Sequence, residues 1–274
     1  MNRIARLPVM AAVLCTALVL ITGCNRLQAR DHLNKGVEAF KTAHYEEAIN
    51  HFQQAVQLDP SLPMARLYLA TAYAQQVIPN LQTPENMKFA NLAIQNFQYV
   101  LQKDPNDINA LKGIASLYLN TQNFDKAKEY QNKVLAVDPN DASADYTVGV
   151  IDWTVAYKNA LPVRQSLGLQ DNGDAIKDKK ACAALAEKNA PLIQEGLDYL
   201  QKAIQIKPNY DDAMAYMNLL YRRKADLECG DDDTRKVDLA QADQWVQKAM
   251  AARKANEQQK NQQSAAHGIV LDQK

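Results

Sequence analysis

AIQNFQYVLQKDP (residues 93–105) and AKEYQNKVLAVDP (residues 127–139) are one structural piece written twice. In both, apolar residues return at steps of three and four, as a helix with a single buried face requires. Both end in Asp-Pro, and a proline there stops the helix because it lacks an N–H and clashes with the preceding turn. The two prolines lie 139 − 105 = 34 residues apart. The same pattern appears in AINHFQQAVQLDP (48–60) and in GLDYLQKAIQIKP (196–208), where Lys207 replaces the Asp. Four uses of one helix in one chain predict an all-α protein built from repeated hairpins, because a single hairpin cannot hide its apolar side without a neighbour.

Aligned on its proline, the segment 29–60 places Gly36, Ala48, Phe52, Ala55 and Pro60 at fixed positions. Residues 108–139 place Ala115, Tyr118, Ala127 and Pro139 likewise, with Val134 where the first segment has Ala. With the 34-residue interval, this arrangement resembles the tetratricopeptide repeat (TPR), whose small residues let paired helices touch while an aromatic fills the gap between pairs. The resemblance implies a solenoid of about five units over residues 29–255. Units two, four and five carry insertions of about eleven, thirty-five and twelve residues. MKFANLAIQNF (87–97) and residues 175–188 are rich in helix formers, so these insertions are expected to be helical in part. Pro79, Pro84, Pro162 and Pro191 are expected to break them, and GLQDNGD (168–174) reads as a turn. From 256 to 274 the periodicity fades, which predicts a flexible tail.

The N-terminus carries a different message. Arg3 and Arg6 precede an apolar run from Val9 to Ile21 that is too short for a comfortable membrane span and reads as an export signal. Ile21, Thr22, Gly23 and Cys24 resemble the lipobox of bacterial lipoproteins, which implies removal of residues 1–23, a diacylglyceryl thioether on Cys24 and a short tether over 24–28. Such a chain would sit in the cell envelope with its body in the periplasm. Asn25, rather than Asp, favours the outer membrane. Without the signal, the 31 basic residues lose Arg3 and Arg6, leaving 29 against 31 acidic ones, and that balance argues against a nucleic-acid partner.

Cys15 falls in the signal and Cys24 takes lipid, which leaves Cys182 and Cys229. In an exported protein these two are expected to pair, the alternative being two buried thiols. No catalytic constellation, nucleotide-binding loop or nucleophile elbow is present, so no enzyme activity, cofactor or metal is expected. His32, His44 and His51 lack the spacing that puts two ligands on one helix face and read as surface or partly packed. Asp231, Asp232 and Asp233 read as helix-start acids, with Arg222, Arg223 and Lys224 as a solvated face or as their partners.

What remains for function is the concave face that the first helices of TPR units line. Carried over position by position, the resemblance puts there Leu33, Val37 and Phe40, then Leu67 and Thr71, then Lys112 and Ser116, and finally Tyr146, Val150 and Trp153. Tyr146 and Trp153 are the candidate anchors. The Lys/Asn/Arg clamp for a terminal carboxylate is missing, since Leu33 and Val37 stand where it would begin. The expected role is a scaffold for other envelope proteins, held to the membrane by its N-terminal lipid. The alternative is an accessory protein for a solute or glycan, its groove roofed by the insertions. The sequence leaves the oligomeric state open.

Overall fold

Each of the four repeated segments stops where its punctuation stands. In the computed structural model, which describes the backbone of residues 6–170 and 174–266 and the side chains of 24–62, 64–170 and 174–264, ten helices follow one another without a strand among the described residues. They are α1 (Arg6–Lys41), α2 (Tyr45–Leu58), α3 (Pro63–Gln75), α4 (Pro84–Lys103) and α5 (Ile108–Asn120). Then come α6 (Phe124–Val137), α7 (Ala142–Ser166), α8 (Lys179–Ile206), α9 (Asp211–Ala225) and α10 (Asp232–Ala266). The second helices α2, α4, α6 and α8 end immediately before Asp59, Asp104, Asp138 and Lys207. Starts are marked as clearly: Asp107 accepts from the Ala110 N–H at 2.8 Å, and Asp141 from the Ser143 and Ala144 N–H groups at 3.0 Å each. Each such cap satisfies donors that the first turn leaves open.

The chain forms two compact units, Met1–Tyr130 and Gln131–Lys274. In the first, α1 packs on α2, α2 on α3, α3 on α4 and α4 on α5, so the hairpins stack in chain order. Its core includes Ala48, Phe52, Leu69, Ala70, Ala93, Phe97 and Ile114. The expected fit of small residue to aromatic holds: a Cβ placed on Gly36 would lie 2.5 Å from the Phe52 ring, and one on Gly113 would lie 2.5 Å from Phe97. In the second unit α7 packs on α8, α8 on α9 and α9 on α10. Gly149 there meets Leu200, and the core is built from Ile193, Leu200, Met217, Leu220 and Trp245.

Two expectations need correcting. Pro162 and Pro191 do not break helices: they lie inside α7 and α8, of 25 and 28 residues. The fourth unit's insertion is therefore not a separate piece but an outward extension of both helices of one hairpin, which loses only one backbone bond at each proline. Second, helix does not fade at 256, since α10 runs to Ala266. Residues 257–266 hold Gln, Lys, Glu and Ala with no Gly or Pro, so propensity carries the helix beyond its last buried turn. The Asn256 amide also donates to the Asn209 carbonyl at 3.0 Å, which fastens α10 beside the start of α9. Residues 24–28, the expected short tether, are helical as part of α1. Residues 1–5 and 267–274, the side chains of the apolar run Val9–Ile21 and residues 171–173 of the turn 168–174 lie outside the described residues, although Gly168 at φ +69° begins that turn. Among the described residues no helix is long and apolar enough to cross a membrane.

Cys182 and Cys229 are bonded, with Cα atoms 5.6 Å apart, joining the first turn of α8 to the loop between α9 and α10. Ala160, Ile176 and Leu185 pack around Cys182 as a small core belonging to the hairpin extension. The bond closes a span of 47 residues, so replacing both cysteines by Ser is expected to cost about 2–4 kcal/mol, read from urea unfolding under non-reducing conditions. A loss below about 0.5 kcal/mol would show that the extension holds itself without the bridge.

Next to Cys182 lies a charge cluster that the sequence reading missed. Arg164, 1% exposed, donates to Asp226 Oδ1 at 2.7 Å, to the Asp174 carbonyl at 3.0 Å and to the Gln170 carbonyl. Arg223, read above as part of a solvated face or as a partner for Asp231, Asp232 and Asp233, is 5% exposed and approaches Asp226 Oδ2 at 3.0 Å. Its neighbours pair elsewhere than expected, Arg222 with Asp243 at 2.8 Å and Lys224 with Asp238 at 2.7 Å. Asp231 does cap α10, accepting from the N–H groups of Asp233 and Thr234.

Asp145 on α7 is fully buried, with the Lys202 ammonium 3.1 Å away. Burial raises its carboxyl above the ordinary 3.8 by more than Lys202 lowers it. The folded chain thus keeps this proton to higher pH than the unfolded chain. The associated stability is complete below the unfolded value and is lost as pH rises through the folded one. Asp145→Asn is therefore expected to gain on the wild type between pH 3.5 and pH 7. Urea titrations that gave the same difference at both pH values would refute this.

Candidate partner-binding surface

The predicted positions fall in both units, and the two sets differ in what they offer. In the first unit Leu33, Val37, Phe40 and Leu67 are half-buried and rest on the core, with Phe40 edge-on to Tyr45 at 5.3 Å. Thr71 is committed locally, since its hydroxyl donates to the Leu67 carbonyl at 2.8 Å. Lys112 and Ser116 on α5 are exposed. This is a mixed surface on which Phe40 is the one aromatic among the predicted positions.

In the second unit the anchors are concentrated. Tyr146, Val150 and Trp153 recur along α7 at steps of four and three, so they share a face, and all three are half-buried. Tyr216 of α9 stands edge-on to both aromatic members, 5.7 Å from Tyr146 and 5.3 Å from Trp153. Tyr157 stacks on Trp153 at 5.3 Å and Tyr210 leans on Tyr146 at 5.0 Å. The five rings hold one another in edge and offset contacts, which fixes their rotamers before any partner arrives. Sequence reasoning named two of the five. The signal that could have exposed Tyr157 is its place one turn after Trp153.

The electrostatics suit a neutral, hydrogen-bonding surface. Burial, then Tyr216 and the Asp212 carboxylate, push the Tyr146 phenol well up from its ordinary value. Burial followed by Asp212 does the same to Tyr210 and Tyr216. The three hydroxyls thus stay protonated and can both donate and accept. Lys207 lies 4.2 Å over the Tyr210 ring, and Arg253 pairs with Asp211 at 3.0 Å. A separate hollow of about 660 Å³ in the first unit is lined by Pro60, Ser61, Arg66, Tyr99 and Lys103, with the Arg66 guanidinium 4.0 Å over the Tyr99 ring. It lies at the turns that follow α2 and α4 and includes none of the predicted groove positions. Cys24 is exposed and unbonded.

The sequence pattern described as "Tetratricopeptide repeat" matches residues 90–147, and that described as "TPR repeat" matches residues 41–77. Residues 41–77 and 90–147 thus carry the tetratricopeptide-repeat pattern. Solved TPR-like neighbours include the MamA protein, with a TM-score of 0.55 at 15% identity over 90% of this chain and 98% of that one. A MamA chain from Desulfovibrio magneticus RS-1 matches at a TM-score of 0.55 and 17% identity, over 83% of this chain and 96% of that one. At such identity the likeness speaks for the TPR fold alone. Among curated proteins the chain is similar to the anaphase-promoting complex subunit CDC16 of Saccharomyces cerevisiae, 24% identical over 62% of this chain and 24% of that protein. It is also similar to sperm-associated antigen 1 of Mus musculus, 27% identical over 48% of this chain and 13% of that protein. The chain therefore spans a quarter or less of the length of these two relatives.

Proposed function

We propose that this TPR chain is a protein-binding scaffold of the bacterial cell envelope, tethered by lipid on Cys24 with its body in the periplasm. The observation that carries the binding reading is the half-buried aromatic row of Tyr146, Trp153 and Tyr216. Its rings are already locked, so a partner's apolar side chains gain contact area without the cost of ordering them. Aromatic anchors of this kind dominate binding energy at protein interfaces. The tether reading rests on the lipobox-like Ile21-Thr22-Gly23-Cys24 and on the exposure of the Cys24 thiol. Asn25 inclines the placement toward the outer membrane.

Photocrosslinking tests the surface. A photoreactive residue at position 153, in intact cells, is expected to capture a defined envelope protein, and Tyr216→Ala in the same chain is expected to abolish the capture. Labelling unaffected by Tyr216→Ala would remove the aromatic row from the interface, and no capture at all would favour a solute or glycan ligand. For the tether, Cys24→Ala is expected to move the chain from the detergent phase to the aqueous phase. Continued partition into detergent would refute lipidation at Cys24.

A further inference from the structure

His32 on α1 and His51 on α2 are separated by 19 residues and meet across the first hairpin, their Nδ1 atoms 3.1 Å apart. Their ring centroids are 5.4 Å apart and their planes tilted by 38°. The helix-face spacing rule looks for two ligands on one helix and so passes over a pair split between two. Both side chains are half-buried, and His51 keeps 24% of its side chain open to solvent.

Two nitrogens facing each other at this distance can share one proton, or they can share a metal ion. Imidazole binds zinc at about 2.0–2.1 Å. At that bond length two imidazole nitrogens stand about 3.3 Å apart on a tetrahedral ion and about 2.9 Å apart at a right angle. The observed 3.1 Å lies between these values, so the spacing of the two nitrogens suits a shared ion once the rings turn toward it. The other nitrogen of His51 is also provided for, with Glu47 Oε1 3.9 Å from Nε2. Glu47 is one turn away on the same helix and largely exposed, so its carboxylate can close that gap. A carboxylate on Nε2–H favours the tautomer whose Nδ1 is bare, the arrangement found behind metal-bound histidines.

We propose that His32 and His51 form a two-imidazole site for a divalent transition-metal ion of the zinc or copper class, clipping α1 to α2. On binding, the ring that carried the shared proton on Nδ1 moves it to Nε2, so both Nδ1 lone pairs reach the ion and no net proton is released. Among the described residues no group of three or more His, Cys, Asp or Glu side chains gathers to hold a metal, so water fills the remaining positions. The ion cross-links the first hairpin beside Leu33, one of the groove positions in the first unit. Neither the tether nor the aromatic row is required for this site.

The test titrates the full chain, free of any polyhistidine tag, with Zn²⁺ and with Cu²⁺ by calorimetry. The expected result is one ion per chain and a rise in thermal midpoint that grows with free metal. His32→Gln and His51→Gln are each expected to weaken binding by at least about tenfold, Glu47→Gln by less, and His44→Gln not at all. Circular dichroism checks that the variants keep their helix content. Nitrogen NMR of the wild-type histidine rings gives a readout that needs no variant, since Zn²⁺ is expected to shift two Nδ1 resonances together. Absence of binding up to millimolar metal, or binding that survives both His32→Gln and His51→Gln, overturns the proposal.

Discussion

Asp226→Ala is expected to destabilise the protein by about 3–5 kcal/mol, among the largest losses available to a single substitution in the second unit. Asp226 is 4% exposed and answers two guanidinium groups at once, Arg164 at 2.7 Å and Arg223 at 3.0 Å. Removing it takes from both guanidinium groups a carboxylate partner at a place where water hardly reaches. Arg164 also holds the segment after α7 through the Gln170 and Asp174 carbonyls, so its displacement frees that segment too. Thermal unfolding should show a fall in midpoint on the order of 10 °C. Replacing Arg164, Arg223 and Asp226 together by Met, Leu and Leu is expected to recover most of the loss, because a buried ion cluster often has an apolar equivalent of similar stability. A single-variant loss under about 1 kcal/mol would mean that water reaches the cluster.

Phe52→Ala should cost about as much in the first unit, roughly 3–5 kcal/mol. The ring is fully buried, stacked on Tyr68 at 5.5 Å and seated over the bare backbone of Gly36. The cavity cannot be filled from α1, since Gly36 has no side chain to extend. For the same reason Gly36→Ala alone is expected to destabilise, although Ala is the better helix former by about 1 kcal/mol, because its Cβ would stand 2.5 Å from the ring. Combined, the two changes should cost less than the sum of the separate ones, as the new methyl occupies part of the space the ring leaves. Additivity within about 0.3 kcal/mol in urea unfolding would show that Gly36 and Phe52 do not form a knob and its socket.

The fold was legible because its signals are local and repeated. Asp59-Pro60, Asp104-Pro105, Asp138-Pro139 and Lys207-Pro208 each report on a single helix end, and Gly36 and Phe52 report on the contact of one hairpin. Pro162 and Pro191 were misread for the same reason: the rule that proline stops a helix concerns the local backbone, whereas tertiary packing keeps α7 and α8 continuous through them. The tail erred the other way, since faded amphipathicity was taken as absence of helix although Gln, Lys and Ala need no buried face to remain helical. The cysteine pair was reachable by elimination. Arg164 with Asp226 was not, because the partners lie 62 residues apart and a lone charge in a sequence does not say whether it is buried. At the binding surface, Tyr146 and Trp153 could be placed by repeat position, but Tyr216 on α9 was not among the positions carried over, and only its ring contacts with those two reveal it.

Under tension the Cys182–Cys229 bond turns the second unit into a chain of two mechanical classes. Force applied through the ends can straighten the residues on either side of the bridge, but the 47-residue span between the sulfurs carries no load. At about 3.4 Å per residue, roughly 160 Å of contour is withheld from an oxidised molecule and released once it is reduced. A single-molecule pulling trace should therefore lengthen by that increment on adding dithiothreitol.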